Sequence, residues 1–325
     1  MVFIYFLVLL FAFALLFKCA GWFIRGASTF ATVLSIPKLI VGIVVVGLAT
    51  TAPEFGVSVQ AAYLGHPEIA LGNAIGSVIC DDGIALALAA LFAPTVIFVN
   101  CRILRIAAAF LLSIDLLAYG LALNGTLGRA EGVLFIFLLC LYFIFVIRFQ
   151  SGLKFKLPED LEEEERKAKA REKWSRLRRP LILFLGGITG VIITSRLVIW
   201  SAVNIARTFG ISETVIGLTV VAIGTSLPEI STCITAALRG EGEIAVGNII
   251  GADVLNILWI IGVSAVVNPI EVELDVINFT FPYMIFIVLV MLVSMRLGCR
   301  MGKVKGAVLF ILYLIYLFLT LHFFW

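Results

Sequence analysis

Long unbroken apolar runs dominate the chain. Residues 3–17, 103–122, 132–147, 181–203, 276–295 and 306–325 are nearly free of charge, and most approach the roughly 20 residues that cross a bilayer core as a helix. A backbone in lipid must satisfy its own amides within a helix or a closed barrel. The runs show no period-two alternation, which excludes a barrel. Four further segments, 37–64 with 68–95 and 212–238 with 243–268, are apolar but carry polar breaks. Together the pattern predicts ten transmembrane helices. The series is interrupted once, by LKFKLPEDLEEEERKAKAREKWSRLRRP at 153–180. This reads as a solvated, partly helical linker. Its acidic run Glu162–Glu165 reads as a solvated helix face, without EF-hand spacing.

Composition agrees with this pattern. Of 325 residues, 62% are hydrophobic and 14% charged, against roughly 25% charged in a soluble domain, and the mean hydropathy is +1.14. The net charge of +3 does not point to nucleic acid, because the basic residues lie between spans. The N-terminal stretch lacks a basic n-region and a convincing cleavage site, so it reads as a retained first span rather than a signal peptide. The six cysteines (Cys19, Cys80, Cys101, Cys140, Cys233, Cys299) form no CxxC pair. They are expected to be thiols inside helices, with neither disulfide nor metal duty. No nucleophile–base set or phosphate loop suggests an enzyme, and no obligate protein partner or cofactor is evident.

Lys and Arg set the orientation. With the linker cytoplasmic, all of the 24 basic residues fall inside except Arg129 and Arg207, which fall outside, and Arg196, which falls within a span. Both termini are then outside, in a cell-membrane protein.

A shift of 175 residues aligns IPKLIVGIVVVGLATTAPEF (36–55) with ISETVIGLTVVAIGTSLPEI (211–230), HPEIALGNAIGS (66–77) with EGEIAVGNIIGA (241–252), and Pro94 with Pro269. No gap is needed. Chance matches between apolar helices would fall on Val, Ile and Leu, not jointly on Thr50/Thr225, Pro53/Pro228, Glu54/Glu229 and Asn73/Asn248. The chain divides into a first five-helix repeat (1–149), a charged cytoplasmic linker (150–180) and a second five-helix repeat (181–325). Five spans is an odd number, so the second repeat enters the membrane from the other side. Inverted repeats of this kind are the architecture of secondary transporters, with the site at the repeat interface where helices are interrupted.

Acids within spans carry the chemistry. Glu54, Asp81, Asp82, Asp115, Glu229 and Asp253 all fall in predicted spans, where each costs about 2.5–3.5 kcal/mol on insertion scales. Such an excess of acid over base calls for protonation or bound cations. Asp115 and Arg196 are expected to pair with each other or with water. His66 and His322, at span ends, look inert. Glu54 and Glu229 each follow a proline, which frees carbonyls near Ala49, Thr50, Gly224 and Thr225. Carbonyl, hydroxyl and carboxylate oxygens together suit Ca²⁺, with its six to eight oxygen ligands, and Na⁺, whereas no His or Cys cluster suggests zinc or copper. The motifs G-N-A-I-G-S-V-I-C-D (72–81) and G-N-I-I-G-A-D-V-L-N (247–256) carry glycines four apart, which permit close helix approach. Ser77 and Asp81 share one helix face, as do Ala252 and Asn256.

At these motifs the sequence resembles the Ca²⁺/cation antiporter superfamily, and within it the prokaryotic sodium/calcium exchangers. The resemblance implies that Glu54 and Glu229 bridge a central Ca²⁺, helped by backbone carbonyls at Thr50 and Thr225. It further implies that Thr51, Ser77, Ser226, Asp81 and Asn256 complete flanking Na⁺ sites, and that Na⁺ entry drives Ca²⁺ export. The chain departs from the family pattern in reading A-T-T-A-P-E where Gly-Thr-Ser is usual, in Ala252 where Ser is usual, and in the order of Asp81 and Asn256. Asp82 and Asp253 add further acid. An H⁺/Ca²⁺ antiporter of the same fold is the alternative, although proton-coupled relatives tend to carry Gly-Asn-x-x-Glu in the first motif. A cation channel fits the repeat less well.

Overall fold

The computed structural model describes residues 2–33, 47–99, 101–150, 163–238, 240 and 242–323. Its first half comprises α1 (Val2–Val33), α2 (Gly47–Thr50), α3 (Ala52–Tyr63), α4 (Pro67–Phe92), α5 (Cys101–Ala122) and α6 (Arg129–Gln150). The second comprises α7 (Glu163–Phe209), α8 (Glu213–Thr225), α9 (Leu227–Leu238), α10 (242–267), α11 (Val276–Arg296) and α12 (Lys303–Phe323). Four two-residue strands lie in the connections: β1 (Ile97–Phe98), β2 (Thr126–Leu127), β3 (Ile270–Glu271) and β4 (Arg300–Met301).

Among the described residues, six helices are long and apolar enough to cross a membrane: Pro67–Phe92, Leu104–Ala122, Arg178–Phe209, Ala245–Val267, Val276–Arg296 and Lys303–His322. The bent pair α8 and α9, whose axes differ by 43°, brings the number to seven. Residues 37–46 of the span expected at 37–64 lie outside the described residues. Helix α1 continues past the expected 3–17 run to Val33. Helix α7 begins at Glu163, so the second part of the linker is helical and passes through Pro180 into the apolar segment.

The 175-residue offset recurs in the elements themselves. Gly47–Thr50 matches Ala222–Thr225, Ala52–Tyr63 matches Leu227–Leu238, and 67–92 matches 242–267. Even a wide π-helical turn recurs, at Asp81–Leu86 in α4 and at Asn256–Ile261 in α10. The strands fall within two residues of the same rule. Strand β1 pairs antiparallel with β4, and β2 with β3, so each small sheet ties a connection in one half to a connection in the other.

Two packed regions follow. The larger holds Leu71, Ile75, Ile79, Leu86, Ile249, Ile257, Ile261, Phe281 and Tyr316, all essentially inaccessible, from α4, α10, α11 and α12. The smaller joins α1 and α7 through Leu9, Leu16, Val198 and Ala202, with Val57 and Ala61 of α3 against them. Helices α4 and α8 approach closely because Gly72 and Gly76 have no side chain: a Cβ on Gly72 would lie 2.5 Å from the Thr214 carbonyl oxygen, and one on Gly76 2.6 Å from that of Leu218. Gly72 and Gly76 therefore act as packing residues between the halves, whereas a Cβ on Gly247 or Gly251 would meet nothing within 4 Å, so the second pair does not serve the close approach expected of it.

The cysteine expectation fails at one pair. Cys101 and Cys299 form a disulfide across a sequence separation of 198 residues. The β1–β4 sheet brings them together, with the Val99 amide donating to the Cys299 carbonyl at 2.9 Å. Spacing along the chain carries no sign of a pair that only this long-range sheet creates. Cys19, Cys80, Cys140 and Cys233 are free thiols.

Candidate cation-binding site

Two broken helices position the acids. In the first half the helix is interrupted at Thr51 (φ −81°, ψ 2°) between α2 and α3. In the second the same conformation appears at Ser226 (φ −76°, ψ 2°), between α8 and α9. Pro53 and Pro228 cannot donate to the preceding turn, which leaves the Ala49 and Gly224 carbonyls without the usual helical donor. Glu54 and Glu229 thus stand in the first turns of α3 and α9, facing the point where the two halves meet. Their carboxyls interact with each other and with that of Asp81. Ser226 lies beside both Glu54 and Asp81, and Thr50 and Thr51 lie beside Glu229. Each Glu is therefore flanked by hydroxyls from the opposite half.

All nine residues singled out from the sequence are buried. The structure brings six of them into mutual proximity: Thr50, Thr51, Glu54, Asp81, Ser226 and Glu229. Ser77 lies one turn before Asp81 on α4, and Asn256 opens the π turn of α10. Seven of the nine side chains, Thr51, Glu54, Ser77, Asp81, Ser226, Glu229 and Asn256, hold buried oxygens without a well-formed hydrogen bond. Buried polar groups are almost always hydrogen-bonded, and an isolated buried carboxylate is costly. Five of the seven, Thr51, Glu54, Asp81, Ser226 and Glu229, lie together, and such a concentration of orphaned oxygens suits a hard cation that takes them as ligands. Among the described residues no three His, Cys, Asp or Glu side chains converge as a metal cage. The Glu pair would need the hydroxyls and freed carbonyls to complete a shell.

The remaining two, Thr50 and Thr225, also reach asparagines of the opposite half. Thr225 donates to Asn73 Oδ1 at 3.0 Å and Thr50 to Asn248 Oδ1 at 3.4 Å. These two asparagines stood out in the repeat, yet nothing in the motif said that each would reach across to the other half. Beside the site the ring of Phe55 stacks on Trp259, centroids 3.9 Å apart, and closes α3 against α10.

A second acidic group lies off this axis. Asp82, Asp115 and Asp253, from α4, α5 and α10, are fully buried, and Asp82 and Asp253 adjoin each other with Asp115 nearby. The expected pairing of Asp115 with Arg196 does not occur. Arg196 is exposed on α7, whereas both Asp115 oxygens are buried without a hydrogen-bond partner. Helix faces decided this: Arg196 follows the buried Ser195 and turns outward. His66 is not inert either. Its Nδ1 lies 2.6 Å from the Glu213 carboxylate, joining the α3–α4 turn to the start of α8.

The family model described as sodium/calcium exchanger protein matches residues 4–148 and 179–322. The chain is 33% identical to the putative antiporter CaxA of Alkalimonas amylolytica over 94% of its length and 95% of that protein. It is 28% identical to the sodium/calcium exchanger MaX1 of Methanosarcina acetivorans, covering 98% of both chains. The sodium-calcium exchanger NCX_Mj, in crystals soaked with Na⁺ and Sr²⁺, superposes with a TM-score of 0.66 at 25% identity, over 97% of this chain and 98% of that one. With the paired breaks, the clustered oxygens and a match that spans both halves, this chain belongs to the sodium/calcium exchanger protein family.

Proposed function

We propose that this protein is a secondary active antiporter that exchanges Na⁺ for Ca²⁺ by alternating access. In this reading Glu54 and Glu229 bridge Ca²⁺ with the Thr50 and Thr225 carbonyls. Thr51, Ser77, Asp81, Ser226 and Asn256 serve flanking Na⁺ sites. The observation that carries it is the set of five buried, orphaned side chains, Thr51, Glu54, Asp81, Ser226 and Glu229, around two equivalent helix breaks. Two carboxylates offset one divalent charge, and the hydroxyls supply neutral ligands suited to a monovalent ion. The names of MaX1 and NCX_Mj support the same pair of ions.

The architecture that goes with this reading is ten transmembrane helices in two inverted five-helix repeats. Residues 1–149 and 181–325 form the repeats, and the linker 150–180 and both termini lie on opposite faces of the cell membrane, with the linker cytoplasmic. The recurrence of elements at 175 residues supports the repeat, and the distribution of Lys and Arg supports the orientation.

One observation favours proton coupling as a second reading: the Asp82, Asp115 and Asp253 group has no basic partner among the described residues. The test is ⁴⁵Ca²⁺ uptake into proteoliposomes with outward Na⁺, K⁺ or H⁺ gradients imposed one at a time. Uptake driven by the Na⁺ gradient alone is expected. Uptake driven only by the H⁺ gradient would replace the first reading with the second, and Ca²⁺ flux needing no counter-ion would make the protein a channel.

A further inference from the structure

Two amides, Asn73 fully buried and Asn248 half-buried, sit between the Glu-bearing helices and the opposite half. Asn73 Nδ2 donates to Ser58 Oγ at 2.9 Å and to the Glu54 backbone carbonyl at 3.3 Å. Its Oδ1 accepts the Thr225 hydroxyl at 3.0 Å. Both donors are thus spent on the helix that carries Glu54, and the acceptor on the threonine four residues before Glu229. The Thr225 hydroxyl has one proton and two other acceptors, the Val221 and Ala222 carbonyls at 3.1 and 3.3 Å. The contact to Asn73 Oδ1 is the shortest of the three, so the opposite half competes with the helix's own carbonyls for this proton. Asn248 occupies the equivalent position with a weaker set: Thr50 donates to its Oδ1 at 3.4 Å, and its Nδ2 lies 3.8 Å from Cys233 Sγ. Cys233, which donates in turn to the Ala245 carbonyl at 3.6 Å, stands at the offset of Ser58. Sulfur is a poor acceptor.

We propose that Asn73 and Asn248 are positioning residues that hold the two Glu-bearing helices at the separation a divalent cation requires, and that Asn73 is the tighter brace. This rests on the reading that Glu54 and Glu229 share Ca²⁺. Ca²⁺–oxygen distances lie within 2.3–2.6 Å, so two carboxylates from different halves bind well only if their spacing is set in advance. An asparagine suits this duty because one rigid amide donates and accepts at once. Aspartate would lose both donors, and an aliphatic residue all three bonds. In side-chain identity the two braces differ at Ser58 against Cys233, an oxygen against a sulfur, and that difference supplies a test in both directions.

The measurement is the half-saturating Ca²⁺ concentration and maximal rate of Na⁺-gradient-driven ⁴⁵Ca²⁺ uptake, with the thermal midpoint of each Ca²⁺-free protein as a control for folding. Asn73→Ala is expected to raise half-saturation about tenfold with little change in maximal rate, and Asn248→Ala to raise it less. Cys233→Ser, which gives the looser brace an oxygen acceptor, is expected to lower half-saturation about threefold. A purely structural amide would instead move the thermal midpoint and the maximal rate. Unchanged half-saturation in folded Asn73→Ala overturns the proposal. Should that variant not fold, Ser58→Ala and Cys233→Ser decide it by moving half-saturation in opposite directions, and failure to do so overturns it. Glu54→Gln serves as the reference. If Glu54→Gln transports Ca²⁺ normally, the Ca²⁺ reading itself is wrong. If it is inactive while the brace variants bind normally, only the bracing falls.

Discussion

Two groups of buried acids lie within this protein, and they follow different rules. Glu54 and Glu229 occupy equivalent positions in the two halves. Each stands just past a proline, and each is flanked by hydroxyls from the other half. Asp82, Asp115 and Asp253 have no such equivalents: the offset places Ile257, Val290 and Val78 opposite them, and their ionisable neighbours are chiefly one another. Asp81 and Asn256 stand between these cases, equivalent in position but unequal in charge. Duplication accounts for a two-sided site that can enclose a divalent ion. It does not account for acids that lack an equivalent in the other half.

The largest effect is expected at the symmetric pair. On the proposed reading, Glu54→Gln or Glu229→Gln removes one of two carboxylates that offset a divalent charge in a water-poor site. Breaking a buried ionic pair costs about 3–5 kcal/mol, so equilibrium Ca²⁺ binding should weaken by at least about 100-fold while the protein stays folded. Near-normal ⁴⁵Ca²⁺ transport by either folded variant would remove the symmetric pair from the site and with it the comparison drawn above.

A smaller and more selective effect is expected at the unequal pair. Asp81→Asn should weaken the Na⁺ dependence of flux more than equilibrium Ca²⁺ binding if, as proposed, two carboxylates serve Ca²⁺ and Asp81 supplies a third charge for Na⁺. Asp81→Asn combined with Asn256→Asp should recover part of the Na⁺ response, since the two positions open equivalent π turns. Equal loss of both properties in the single variant would make Asp81 a direct Ca²⁺ ligand.

The smallest effect is expected off the axis. Asp115→Asn removes a buried acid that no cation partners among the described residues. Na⁺-driven Ca²⁺ flux should stay within about threefold, and the thermal midpoint should rise, since an uncompensated buried carboxyl costs more than an amide. Loss of flux under an H⁺ gradient, measured in the same vesicles, would instead give the off-axis acids a coupling role.

What could be read from the chain and what could not divide along a physical line. The apolar runs, the repeat, the Pro-Glu breaks and the burial of acids within spans were legible because each rests on local chemistry or on the chain's likeness to itself. Proline disturbs its own helix turn, and a lipid-facing run shows its character in its composition. Partners distant in sequence were not legible. Cys101 meets Cys299 only because β1 pairs with β4, His66 meets Glu213 across 147 residues, and Asn73 meets Thr225 across 152. The direction of Arg196, outward and away from Asp115, depended on which face of α7 packs against α1. The sequence by itself determined which groups were too costly to bury alone. Only the tertiary structure decided which of them share a site, because pairing across the halves depends on how two folded repeats dock, and no single segment encodes that geometry.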